Sequence, residues 1–300
     1  MVVHGTPESF ELAAWRAEMA RTGAARMSPG PSRHDMPIGD GRQMTRGTSR
    51  SIRGVFFDVG DTLVHLTESM PTVLAREAAA AGITIERERL ATVEIVTRAR
   101  LAERATTRRP FSFPPGESRR FWTSIYLDVL GEHLSAASAT EIAERVYAHF
   151  SSPRAYGVYP DVVPALGQLR ELGIRLGVIS NWESWIGQLI AHHDLDRWFD
   201  WVIASGDVKV EKPNTRIFDI ALERSGFVRG EVLYVGDSPA TDVAGARHAG
   251  WRAILLQRDS ETRDPTGALA TVSSLRELPA LVSAVVNRRP APSGGTVLGN

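Results

Sequence analysis

The α/β pattern in the chain begins with the short apolar run GVFF, residues 54–57, which stops on Asp58 and gives way to the turn residues of VGDT. Four residues are too few for a helix, and a run without polar alternation fits a strand covered on both faces. No comparable strand pattern occurs between residues 67 and 155. There the apolar residues recur three and four apart in PTVLAREAAAAG, RERLATVEIVTRARLAERA, ESRRFWTSIYLDVLGEHL and SATEIAERVYAHF, which predicts four amphipathic helices with capping residues near their starts. The proline-rich RRPFSFPPGE breaks this block as a loop. From residue 161 the two patterns alternate: helix DVVPALGQLRELG, strand IRLGVIS, helix ESWIGQLIAHH, strand WVIAS, helix NTRIFDIALERSG, strand EVLYVGD, helix PATDVAGARHAG and strand RAILLQ.

Alternation of this kind predicts an α/β fold, a Rossmann-like doubly wound parallel sheet. The helical block interrupts the sheet after its first strand, so it reads as an inserted all-helical cap over the carboxyl ends of the strands. The expected organisation is a core of residues 51–66 and 156–286, a cap of residues 67–155, a flexible extension at 1–50 and a flexible tail at 287–300. The extension joins a short helix-capable piece, PESFELAAWRAEMARTG, to a stretch rich in Gly, Pro, Ser and Arg and poor in apolar residues, and the tail has that same character.

Composition narrows the chemistry. Equal numbers of acidic and basic residues give a formal net charge of zero, so there is no basic field of the kind nucleic acid or an anionic membrane needs. No apolar run approaches the roughly 18 residues of a membrane span, and the N-terminus lacks the layout of a secretory signal, which places the protein in the cytoplasm. With no cysteine, thiol nucleophiles, thiolate metal sites and disulfides are excluded. Of 35 basic residues only two are lysine, Lys209 and Lys212. Where arginine does every ordinary cationic job, a lysine pair points to a need for a compact ammonium.

In doubly wound sheets ligands bind outside the carboxyl ends of the strands. The residues expected there are Asp58, Ser180, Lys212 and Asp237, with Lys212 in the loop before the helix that starts near Asn214. Each alone has a plain structural explanation, as a turn, a cap or a surface loop. Converging on one edge, two acidic sites, a hydroxyl and a lysine are the parts that phosphoryl transfer needs.

FFDVGDTL, VISN, KVEKPNTRIF and VGDSPATDVAGARHAG, in this order between residues 53 and 257, resemble the four motifs of the haloacid dehalogenase (HAD) superfamily of phosphohydrolases. The resemblance implies that Asp58 attacks phosphorus and becomes an aspartyl phosphate, and that Ser180, Asn181 and Lys212 bind the phosphoryl oxygens. It implies Mg²⁺ held by Asp58, the backbone carbonyl of Gly60 and Asp237, with Asp242 as a further ligand or an orienting group. The implied substrate is a small phosphomonoester; the motifs fix neither its identity nor an oligomeric state.

One position departs from the family pattern. Asp-x-Asp-Gly-Thr is usual, its second Asp serving as general acid and base, whereas here Gly60 takes that place and Asp61 follows. Either Asp61 reaches the leaving group from a left-handed backbone, which Asp tolerates, or it faces away and caps the turn. The second accords with the rule that neighbouring residues in extended chain point apart. Loss of the acid supports two rival expectations: a weakly active enzyme or a non-catalytic HAD-fold protein that binds a phosphorylated ligand or partner. A metal-independent haloacid dehalogenase is a third, disfavoured by Gly236-Asp237. Trp182 and Trp185 either face the cleft or pack between elements. Lys209 fits no motif and reads as a solvated loop charge, and His192-His193 reads as a helix end. Selectivity is expected from RRPFSFPPGE, with Arg108, Arg109 and Arg119 facing an anionic substrate or simply water.

Overall fold

Five strands run parallel through the apolar segments just described, and most of their residues are buried on both faces. In a computed structural model, which describes residues 51–107, 109–131, 134–258 and 267–286, these are β1 (Gly54–Phe57), β4 (Arg175–Ser180), β5 (Trp201–Ala204), β6 (Val232–Gly236) and β7 (Arg252–Leu256). A further strand, β8 (Ala270–Val272), completes a six-stranded sheet of order β5-β4-β1-β6-β7-β8. The expected extension at 1–50, the tail at 287–300 and Arg108 lie outside the described residues. No described helix is long and apolar enough to cross a membrane.

Period-two alternation sends successive residues to opposite faces. Val55, Phe57, Leu176, Val178, Leu233 and Val235 join one core cluster, beneath α5 (Val162–Glu171), α6 (Ile186–His192) and the start of α10 (Leu278–Val286). Phe56, Ile179, Val232 and Tyr234 join the other, beneath α8 (Thr215–Ser225) and α9 (Ala244–His248). Phe56 lies in register with Gly177. A Cβ there would strike the Phe56 ring, so glycine leaves room for that ring to pack on Trp201 and Trp251, at 5.7 and 5.2 Å between centroids.

The insertion contains α1 (Met70–Ala80), α2 (Arg87–Thr107), α3 (Glu117–Leu130) and α4 (Ala136–Phe150) around an apolar cluster of their own that includes Leu74, Phe121, Ile125, Ile142 and Val146. Where the sequence predicts a third helix to residue 134, the helix stops at Leu130, because Gly131 takes a positive φ of 68°. The chain leaves and re-enters the core through two strands that the apolar pattern does not reveal. β2 (Val64–Leu66) and β3 (Tyr156–Val158) pair antiparallel, Val64 opposite Val158.

A second junction joins the insertion to the core. The loop RRPFSFPPGE docks through Glu211, whose Oε1 accepts from Phe111 N (2.9 Å), Ser112 N (2.8 Å) and Ser112 Oγ (2.6 Å). Ser112 Oγ also lies 2.6 Å from Ser205 Oγ, which accepts from Trp182 N at 2.9 Å. Arg104 holds the base of the loop through Glu117 and the Pro110 carbonyl. Of the arginines expected there, Arg119 instead pairs with Glu144 on the helical surface at 2.6 Å.

Behind the first strand, Arg258 ties three segments together. It makes a bidentate pair with Asp161 (2.9 and 3.1 Å), donates to the Thr62 carbonyl (2.8 Å) and covers the Tyr159 ring. Asp161 also accepts from Ser274 Oγ and Leu275 N. Burial raises the Asp161 pKa, but Arg258, Ser274 and the Leu275 N–H outweigh it and leave the carboxyl below its usual range.

Two outcomes follow from these junctions. A carboxyl whose pKa falls on folding stabilises the fold above its unfolded value and loses that contribution as pH drops through the lower folded value. Asp161→Asn is therefore expected to cost about 3 kcal/mol at neutral pH, with the gap to wild type closing below about pH 4; thermal melts across pH check this, and a pH-independent gap would refute it. Glu211→Ala is expected to speed amide hydrogen exchange at Phe111 and Ser112 by about tenfold or more. Unchanged exchange there would show that the loop is held by other contacts.

Candidate active site

β1 lies between β4 and β6, so the carboxyl ends of three neighbouring strands meet at the middle of the sheet. Asp58 follows β1, Ser180 ends β4 and Asp237 follows β6. Together with Gly60, Asp61, Asn181, Lys212 and Asp242 they line a cleft of about 1130 Å³ between the sheet edge and the insertion.

Lys212 reaches the floor of this cleft and is almost wholly buried. Its Nζ donates to Asp58 Oδ1 at 2.7 Å, Asp242 Oδ1 at 2.6 Å and Tyr234 Oη at 2.8 Å, which uses all three hydrogens of the ammonium. Burial by itself lowers a lysine pKa, yet Asp242 and Asp58 overcome that and raise it, so the group stays charged. Tyr234 passes its own hydrogen to the Ile179 carbonyl at 2.7 Å. Burial, reinforced by the neighbouring carboxylates, pushes its pKa well up and keeps it a neutral phenol.

Asn181 acts on the backbone of the same lysine. Its Nδ2 donates to the Lys212 carbonyl (2.9 Å) and its Oδ1 accepts from Lys212 N (2.7 Å). The amide expected to bind phosphate is thus directed at the lysine loop, which it holds in place. Asp242 is fixed as tightly: its Oδ2 accepts from Ser238 N at 2.9 Å. Any Cβ at Gly236 would collide with its carboxylate, so the glycine ending β6 makes its position possible. The helix expected from residue 239 begins instead as a wide π turn, Pro239–Val243, before α9. That turn carries Asp242 inward.

Carboxylate oxygens of Asp58, Asp237 and Asp242 lie within 4.8 Å of one another. Burial, then repulsion from Asp242, Asp58 and Asp61, drives the Asp237 pKa well up. Burial also raises that of Asp242, against the pull of Lys212. With Asp61, four carboxylates face one ammonium, a charge imbalance that a divalent cation would relieve. Oxygen donors of this kind suit a hard cation such as Mg²⁺.

Asp61 does not turn away. It takes a left-handed backbone, φ 53°, closes its turn through Asp61 N to Val64 O at 2.8 Å, and lines the cleft beside Asp58. Gly60 has room for a Cβ, which would meet nothing nearer than a Trp182 ring carbon at 3.4 Å. Trp182 and Trp185 combine both roles expected of them, since they pack on the core and line the cavity wall. Lys209 lines the cleft, but its ammonium caps the Gly206 carbonyl. The sequence patterns missed Tyr234, Glu211 and Thr62, whose hydroxyl lies 3.4 Å from Asp237. A buried tyrosine hydroxyl needs a polar partner, and Tyr234 in VLYVGD carried that signal.

Known proteins align with this architecture over most of its length. A family model for haloacid dehalogenase-like hydrolases matches residues 52–250. Haloacid dehalogenase-like hydrolase domain-containing protein 3 of Danio rerio is 30% identical over 237 residues, 76% of this chain and 96% of the relative. Phosphoserine phosphatase of Thermus thermophilus is 34% identical over 181 residues, 56% of this chain and 70% of the relative. Among solved structures, a HAD phosphatase from Thermococcus onnurineus superposes with a TM-score of 0.52 at 26% identity, covering 77% of this chain and 98% of that one. The chain is a member of the haloacid dehalogenase-like hydrolase family.

Proposed function

We propose that the protein is a Mg²⁺-dependent phosphatase of a small phosphomonoester, working through an aspartyl phosphate on Asp58 with residues 67–155 as its cap. The observation that carries this reading is the arrangement of Asp58 at the end of the central strand, held by Lys212 and grouped with Asp237 and Asp242. The names of the Thermus and Thermococcus relatives agree with it.

In this mechanism Lys212 holds Asp58 Oδ1, leaving Oδ2 to attack phosphorus. The bond from phosphorus to the ester oxygen breaks as the new one forms, and Asp61 delivers a proton to the departing alkoxide. Water then attacks the aspartyl phosphate, giving its proton to Asp61, and phosphate leaves Asp58 as a free carboxylate. Ser180 and Lys212 hold the phosphoryl oxygens, Lys212 by exchanging one of its three internal hydrogen bonds. Asn181 and Asp242 position Lys212. Asp58, the Gly60 carbonyl and Asp237 would hold the cation, whose charge offsets that of the phosphoryl oxygens.

A weakly catalytic binding protein is the second reading, and Gly60 favours it. The grouping of Asp237 with Asp58 and Asp242 disfavours a metal-independent dehalogenase, which needs the nucleophilic carboxylate but no metal-holding carboxylate after the fourth motif's strand.

Phosphate release from p-nitrophenyl phosphate and a panel of sugar and nucleotide phosphates, with Mg²⁺ and with EDTA, tests the proposal. Turnover is expected only with the metal and is expected to vanish in Asp58→Asn. A folded, Mg²⁺-binding protein without turnover on any ester would favour the binding reading. Asp61→Asn is expected to lower kcat by about 10²–10⁴-fold on poor leaving groups, with a smaller loss on p-nitrophenyl phosphate. Gly60→Asp, whose Cβ clears the Trp182 ring, is expected to raise kcat on poor leaving groups; a fall would show that position 60 cannot host the acid.

A further inference from the structure

Beyond the carboxylates the cleft opens into a chamber of about 260 Å³ between core and insertion. Its size falls below the ~300–1,000 Å³ of pockets for drug-sized ligands, so it suits a small group. The walls are aromatic: Trp122, Tyr126 and Tyr147 from the insertion, Tyr156 from β3, and Trp182 and Trp185 after β4. Tyr156, Trp182 and Trp185 pack on one another with centroids 5.3 to 6.2 Å apart.

One carboxylate, Glu183, is set into this wall. Its Oε1 accepts from Tyr147 Oη at 3.0 Å and its Oε2 from Trp185 Nε1 at 2.7 Å. Both donors are neutral, so they fix its direction without supplying a countercharge. No lysine, arginine or histidine is among the described residues lining the chamber, while Asp58, Asp61 and Asp237 stand at its mouth. An anionic group would be repelled there, and a neutral one would leave Glu183 without a partner charge. An organic cation satisfies both the carboxylate and the ring faces.

We infer that this chamber receives the leaving-group half of the substrate as a small organic cation, an alcohol bearing an ammonium group on a compact apolar or aromatic body, with Glu183 as the specificity-determining residue. The inference rests on the phosphomonoesterase reading, because the reacting carboxylates open directly into the chamber.

Three phosphate monoesters built on one phenylalkyl skeleton test it with the full-length protein, their far ends carrying trimethylammonium, tert-butyl or carboxylate. Wild type is expected to prefer the ammonium ester over its neutral isostere by about tenfold in kcat/KM, the size of a desolvated cation–π contact, and to turn over the carboxylate ester worst. Glu183→Gln is expected to bring the ammonium and neutral esters close to parity, mainly through KM. Equal or reversed preference in the wild type overturns the inference without any variant. Calorimetry with the corresponding free alcohols reads the chamber apart from turnover. If no ester is hydrolysed, the phosphatase reading fails by itself. The chamber assignment then stands on tighter binding of the ammonium alcohol than of the neutral one, and falls if the two bind equally or neither binds.

Discussion

Lys212 brings a full positive charge to the floor of the cleft and satisfies it with two carboxylates and a phenol. Burying these ions is favourable only when geometry is close to ideal, because each loses its hydration. Much of the surrounding structure serves that condition. Asn181 grips the lysine backbone at both its N–H and its carbonyl. Gly236 leaves the space Asp242 occupies, and a π turn delivers that residue to it. Tyr234 relays the third hydrogen bond into the Ile179 carbonyl at the end of β4. Three strand ends are thereby coupled through one ammonium.

Two of the junctions between the insertion and the core are built differently. The β2–β3 ribbon is only three residues long on each side, and Glu211 gathers three hydrogen bonds from the loop at the far end. Glu211 is the immediate neighbour of Lys212. The contact that seats the loop and the contact that charges the cleft therefore share one short stretch of backbone.

Much of this was legible in the sequence because the strands are buried on both faces and read as unbroken apolar runs. The parallel sheet, the helices over it and the three strand-end residues Asp58, Ser180 and Asp237 follow from that pattern. β2, β3 and β8 were not legible: VHL, YGV and ATV are too short, and too mixed with polar residues or glycine, for a period to show. Asp61 was legible as a residue but not as a direction. Only its positive φ brings the side chain to the cleft, and neighbour rules for extended chain do not apply there. Glu183 and Glu211 look like ordinary solvated acids, since their partners lie up to 100 residues away in sequence.

The pairing of Val64 with Val158 means that the chain departs from the core and returns to it at hydrogen-bonded neighbours. The sheet therefore places almost no demand on the length or architecture of what lies between. Closing a longer excursion costs only a logarithmic increment of chain entropy. The strand-end carboxylates and the cavity wall that Trp122, Tyr126 and Tyr147 supply belong to separately replaceable pieces of sequence, while Trp182, Glu183 and Trp185 stay with the core. Exchange of the helical module at this doorway would be a route by which one set of strand-end carboxylates acquires new substrates without moving.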